Sequence, residues 1–255
     1  MLMTVDLNCD MGEGMETDAA IFPFISSANI ACGAHAGDEE VMRRTVELAL
    51  RYGVAIGAHP SYPDRPRFGR VDILEEPATA EELSALEGSL AMQLRVLAEV
   101  CRSFGVRMSH VKPHGALYNR AARDATVSEL ISHVVAGFDP ALLLYGLSGS
   151  RMEPAAVAAG LGFVSEVFAD RTYRPDGSLT PRSQPGALID EPSRAVEQAL
   201  KMVREGRVNI VGGEEIALRA QTVCLHGDGA HAAAFAELIH GALTHEGIRI
   251  AAPAG

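Results

Sequence analysis

Short apolar strands alternate with amphipathic helical stretches along this chain, and the strands end in polar side chains followed by Gly or Pro. Strands separated by helices cannot pair as tight hairpins; they pair in parallel, through crossovers. Seven such strands are read at 5–10, 28–32, 54–59, 107–114, 142–145, 163–170 and 222–226. Between them apolar residues recur at helical spacing, as in Leu83, Leu86, Leu90, Leu94 and Leu97. Thr79-x-x-Glu82 and Thr126-x-x-Glu129 are capping-box sequences, and Gly53 and Gly105 are helix stops. Residues 208–211 and 216–218, around Gly212 and Gly213, read as a small hairpin. A doubly wound open sheet would gather polar strand ends at one switch point. Here the polar ends run through the whole series, which favours a closed α/β architecture: a TIM-like barrel of seven main strands, one domain over 1–255.

The net charge of −11 argues against nucleic acid or an anionic membrane as a general partner. No run of about 18 apolar residues is present, so no spanning helix is expected. The N-terminus meets polar residues at once, unlike a secretory signal. Cys9, Cys32, Cys101 and Cys224 make no C-x-x-C pair and read as reduced thiols of a cytoplasmic protein.

Strand parity brings chemistry to one face. Residues two apart in a strand point the same way. His110, Lys112 and His114 therefore share a face, with Pro113 and Gly115 ending the strand. Asp6, Asn8 and Asp10 share another, Asn29 and His35 a third, and His59 lies beside the small Ala55 and Gly57. Glu166 and Asp170, then Thr222, Cys224 and His226, complete the series; Glu13 and Asp228 sit in Gly-rich loops. Asp10, His59, Lys112, His114 and Glu166 are the candidates for acid, base and electrostatic catalysis. Asp6, Asn8, Glu13, Asn29, His35, Asp170, Arg171, His226 and Asp228 are the candidates for holding a substrate. The bland reading is a polar barrel core of mutually bonded side chains, with Lys112 in a structural ion pair with Asp10 or Glu166. Arg171 is either a forked carboxylate clamp or a solvated loop charge. The strand cysteines read as small core hydrophobes. No H-x-x-x-H or H-E-x-x-H spacing exists, so a divalent metal would rest on Asp10, His35 and His59. No G-x-x-x-x-G-K-[ST] loop is present; if ATP takes part, this chain does not hold it in a P-loop, and a partner is the other candidate. The long polar loops after His59 and after Asp170 read as functional, the first as a lid.

Six segments together carry a family resemblance: DLNCDMGEG (6–14), ANIACGAHAGD (28–38), GAHPSYPDRPRFGR (57–70), VKPHGALYN (111–119), EVFADRTY (166–173) and CLHGD (224–228). In this order, over nearly the whole chain, they resemble the LamB/YcsF family. The resemblance implies a distorted seven-stranded β/α barrel of the glycoside hydrolase/deacetylase kind. It also implies cleavage of the lactam of 5-oxo-L-proline to L-glutamate, coupled to ATP hydrolysis and shared with two further subunits, B and C. On the chemistry of the residues, Asp10, Glu166 or His59 is then the base, Lys112 and His114 stabilise charge and protonate the ring nitrogen, and Arg171 grips the substrate carboxylate. Two other classes stay open: a self-sufficient metal-dependent amidohydrolase or deacetylase, and a non-catalytic subunit that binds a small metabolite.

Overall fold

The computed structural model describes residues 3–15, 17–225 and 232–254. Its first half runs β1 (Thr4–Met11), α1 (Asp18–Ile21), β2 (Ser27–Ala31), α2 (Glu39–Tyr52), β3 (Ala55–His59), α3 (Ala80–Ser103), β4 (His110–Val111), α4 (Gly115–Arg123) and α5 (Ala125–Phe138). The second half runs β5 (Leu143–Leu147), α6 (Met152–Ala158), β6 (Gly162–Phe168), α7 (Pro192–Glu205), β7 (Arg207–Asn209), β8 (Glu215–Ala217), β9 (Thr222–Leu225), α8 (Ala232–His245) and β10 (Arg249–Ile250). Strands β1 to β6 follow one another in parallel, and β9 pairs with both β6 and β1. That double pairing closes a seven-stranded barrel, as the strand ends predict. Beside it, β10 lengthens the sheet at the start of β1, and β7 with β8 forms the expected antiparallel hairpin. No helix among the described residues is long and apolar enough to cross a membrane.

The period of two decides which residues face which layer. On β1, Val5, Leu7, Cys9 and Met11 belong to the apolar core, while Asp6, Asn8 and Asp10 bond to the polar side chains of the other strands. Helix ends follow local chemistry. Asp38 caps α2 by accepting from the Val41 amide, and Gly53 closes it in the left-handed region. Thr79 and Glu82 make the reciprocal capping box of α3.

Three sequence expectations change. Strand β4 is only His110–Val111, because Pro113 has no N–H to continue a ladder. The segment still runs extended beside β3: the Lys112 amide donates to Ala58 and the His114 amide to Pro60. Face-sharing among His110, Lys112 and His114 therefore survives without regular strand assignment. Asp170 lies past the end of β6, in a turn. Helix α5 is capped by Asp124, which accepts from the Thr126 and Val127 amides, so Thr126 is inside the helix and not at its cap.

Candidate active site

A buried polar column rises along the barrel axis. At its foot, Asp6 accepts from Ser26, Ser27, Thr222 and Tyr145. Above it, Asn8 donates to Glu166 Oε1 at 2.9 Å and to Thr222 at 2.7 Å. Asn29 donates to Asn8 Oδ1 and Asp10 Oδ1, and His110 donates to Asn29 Oδ1 at 2.8 Å. The His110 ring stacks on Tyr145 and fills the space left by Gly57, where a Cβ would overlap the imidazole. Burial, reinforced by the Lys112 charge, lowers the His110 pKa to about 3, so this ring is a neutral structural donor.

Lys112 is the centre of the next layer. Its ammonium lies 2.9 Å from Asp10 Oδ1, 2.9 Å from Glu166 Oε1, 3.2 Å from Asn8 Oδ1 and 3.0 Å from Cys224 Sγ. Burial opposes its charge, but the Asp10 and Glu166 carboxylates outweigh burial and raise its pKa well above the ordinary lysine value. Lys112 is thus a fixed cation and not a base. Cys224 stays a thiol, because burial pushes its pKa up despite the neighbouring ammonium. The ion pairs that the bland reading foresaw both exist, on one lysine, at the inner end of the basin.

At the barrel mouth, His35, His59, His114 and Glu13 converge. His59 donates from Nδ1 to the Lys112 carbonyl at 2.7 Å, and its Nε2 lies 3.3 Å from Asp10 Oδ2. His114 donates from Nε2 to the Phe68 carbonyl at 2.9 Å, and its Nδ1 faces His59 Nε2 and Glu13 Oε1. His35 stacks on His114 with centroids 3.8 Å apart, and its Nε2 is 3.1 Å from Glu13 Oε1. Burial lowers His35 to about 4 and also lowers His114, so both rings are neutral near pH 7. Glu13 Oε1 thus lies against a ring nitrogen of both His114 and His35. Two local features build this mouth. Gly115 has φ +58°, and a Cβ there would come 2.6 Å from the Gly69 carbonyl oxygen, which holds the start of α4 against the loop after β3. In that loop Phe68 presents its carbonyl to His114 and makes T-shaped ring contacts with both His35 and His114. The loop expected as a lid is therefore part of the wall.

The structure brings together Asp10, Glu13, His35, His59, Lys112, His114 and Glu166, with Asn8 and Asn29 as their scaffold. Asp6, expected as a substrate contact, is corrected to a foundation: both of its oxygens are already held by hydroxyls one layer down. His114, expected to protonate a leaving nitrogen, has Nε2 on the Phe68 carbonyl and turns only Nδ1 toward the basin. Arg171 is buried in the loop, donates to the Thr180 carbonyl at 2.6 Å, and has no hydrogen-bond partner at Nε among the described residues. Asp170 is beside it and partly buried. His226 and Asp228 lie outside the described residues. Tyr118 was missed: its ring packs edge-on against Phe168, and its buried hydroxyl has no hydrogen-bond partner among the described residues. Burial and then the Glu166 charge push that phenol up, so it stays protonated beside a carboxylate. Its place three residues after Gly115, on the inner side of α4, is the signal that would have found it. A separate open groove of about 420 Å³, around Thr172, Arg194, Gln198 and Lys201, has Lys201 already bonded to Asn209 and Glu215 and offers no comparable acid–base set.

Similarity to known proteins agrees with this fold. The LamB/YcsF family model matches residues 5–255. The chain is a member of the LamB/YcsF family. A family relative from Tolumonas auensis, named as the A component of 5-oxoprolinase, is 50% identical over 253 residues, covering 97% of this chain and 98% of its own. The crystal structure of a lactam utilization protein from Thermus thermophilus superposes with a TM-score of 0.90 at 40% identity, covering 98% of this chain and all of that one. Peptidoglycan deacetylase PdaC from Bacillus subtilis, at 12% identity and a TM-score of 0.50 over 98% of this chain and 87% of its own, shares the fold alone. The LamB/YcsF barrel is thus of the deacetylase-like kind that the resemblance implies.

Proposed function

We propose that this chain is the A component of an ATP-dependent 5-oxoprolinase. In this reading it opens the lactam of 5-oxo-L-proline to L-glutamate, with ATP hydrolysed to ADP and phosphate, in company with subunits B and C. The observation that carries the reading is full-length similarity, at 50% identity, to a protein named as the A component of 5-oxoprolinase. The buried Lys112–Asp10–Glu166 cluster supplies chemistry that suits it.

An amide carbonyl is a poor electrophile, and ATP overcomes that. The lactam oxygen attacks the γ-phosphorus and ADP leaves, so the ring carbon becomes an O-phosphorylated imidate. Water adds to that carbon and gives its proton to a carboxylate. Asp10 suits this step, since its side chain is 13% exposed against 8% for Glu13 and 0% for Glu166. The C–N bond then breaks as the nitrogen takes the proton back, leaving an acyl phosphate; a second water releases phosphate and the γ-carboxylate of glutamate. Lys112 stabilises the negative charge on the phosphoryl oxygens attached to that carbon, as a preorganised cation in a water-poor site. Arg171 Nε and the Tyr118 hydroxyl are donors that suit the substrate carboxylate. The test is glutamate release from 5-oxoproline with ATP, by this chain alone and with its two companions. Glutamate formed in the full mixture, matched one to one by ADP, supports the reading; ADP without glutamate, or neither, sinks it.

A further inference from the structure

The imidazoles at the barrel mouth face one another in a way that opening the lactam does not by itself require. His59 Nδ1 and His114 Nε2 each point at a backbone carbonyl, which can only accept. Each ring therefore carries a proton on that nitrogen, and a ring with no second proton has a bare lone pair at the other. The two nitrogens not on carbonyls, His59 Nε2 and His114 Nδ1, are 3.0 Å apart. Glu13 Oε1 is 3.2 Å from His114 Nδ1 and 3.9 Å from His59 Nε2, and Asp10 Oδ2 is 3.3 Å from His59 Nε2. Lone pairs and anionic oxygens this close repel unless a positive centre stands among them. The Lys112 ammonium is engaged elsewhere, with Asp10 Oδ1, Glu166 Oε1, Asn8 and Cys224. The spacing fits a metal ion: ligand atoms about 2.0–2.1 Å from a tetrahedral zinc stand about 3.3 Å from one another. A carbonyl on the far nitrogen is also the usual outer support of a metal-bound imidazole.

We propose that His59 Nε2, His114 Nδ1 and Glu13 Oε1 bind one divalent first-row transition-metal cation, with His35 holding Glu13 from outside. All three ligand atoms and His35 fall within 4.8 Å of one another. Two imidazoles and a carboxylate select zinc, manganese or iron over calcium or magnesium, which prefer all-oxygen shells. His35 supports two ligands at once, through Nε2 on Glu13 and through its face on the His114 ring. This set differs from the one the sequence suggested: His114 and Glu13 enter, His35 moves to the outer shell, and Asp10 stands beside the site. A cation there supplies a Lewis acid next to Asp10 for a water or an amide oxygen, a use that rests on the lactam-opening reading.

The test uses the untagged full-length chain, stripped with a chelator and titrated with Zn²⁺ by calorimetry and with Co²⁺ by visible absorption. One cation per chain is expected. His59→Gln, His114→Gln and Glu13→Gln should weaken it at least about 100-fold, and His35→Gln about tenfold. His133→Gln, on the exposed side of α5, should leave it unchanged. Equal binding in all five variants, or no saturable uptake by the wild type, overturns the site. If the ligand variants do not fold, imidazole ¹⁵N spectra of the wild type decide. Unprotonated His59 Nε2 and His114 Nδ1 that shift on adding Zn²⁺ support the site; a proton shared between them and indifferent to Zn²⁺ overturns it. Glutamate release is scored apart: metal uptake without it removes the lactam reading and keeps the site, and release without uptake does the reverse.

Discussion

Asp6 and Asp10 stand four residues apart on one face of β1, yet they are wired in opposite ways. Asp6 is ringed by four hydroxyls, and burial, resisted by those hydroxyls, still raises its pKa. Asp10 meets an ammonium, an amide and an imidazole, and its side chain reaches the edge of solvent. A neutral donor shell makes a carboxyl into a structural strut. A carboxyl that faces an ammonium at the barrel mouth, with one oxygen toward the basin, is placed where a substrate can meet it. The same contrast separates the histidines. His110, low in the barrel, has both ring nitrogens bonded, to Ser109 and Asn29. His59 and His114, higher up, each keep one nitrogen aimed at other acceptors. In an α/β barrel the carboxyl ends of the strands are where such unsettled groups are tolerated, because loops and ligands can complete them.

Removing the cation at the boundary should have the largest effect. Lys112→Met leaves Asp10 and Glu166 facing each other and should cut ATP-dependent glutamate release by about 10³-fold or more. The loss of the buried pair should cost roughly 3–5 kcal/mol of stability, read from chemical denaturation. Turnover within a few fold of wild type would mean that both ends of the column are structural. Next comes Gly57→Ala, which drives a methyl into the His110 ring and should destabilise by about 3 kcal/mol, seen as a lower urea midpoint. An unchanged midpoint would show that the lower layers can shift.

A pH series sharpens the contrast further. His110 titrates near 3 when folded and near the ordinary 6.5 when unfolded, so between those values the unfolded chain binds the extra proton. Its contribution is therefore complete above pH 6.5 and falls away as the pH drops toward 3, by about 1.4 kcal/mol per unit. Comparing wild type with His110→Asn isolates that slope; parallel curves would refute it. The smallest effect is expected from Asp6→Asn, which puts donors where four hydroxyls donate. It should cost about 1–3 kcal/mol of stability and leave glutamate release within about tenfold. A collapse of turnover at normal stability would move Asp6 from foundation to chemistry.

Much of this was legible in the sequence because it depends on local periods. A repeat of two places Asp6, Asn8 and Asp10 on one face, and Lys112 with His114 on another, whatever the rest of the chain does. The recurrence of such strands between helices implies parallel pairing, and polar groups at their ends imply where a site lies. Tertiary structure alone decided what each group became. Lys112 meets Glu166 from β6 and Cys224 from β9 because the sheet curls into a closed barrel. The tautomers of His59 and His114 are set by carbonyls 53 and 46 residues away in the chain, which no spacing rule encodes. Tyr118 reaches the basin through a helix that begins where Gly115 lets the backbone turn. Side-chain parity is a property of the backbone repeat and travels with the sequence; protonation state is a property of neighbours, and folding chooses the neighbours.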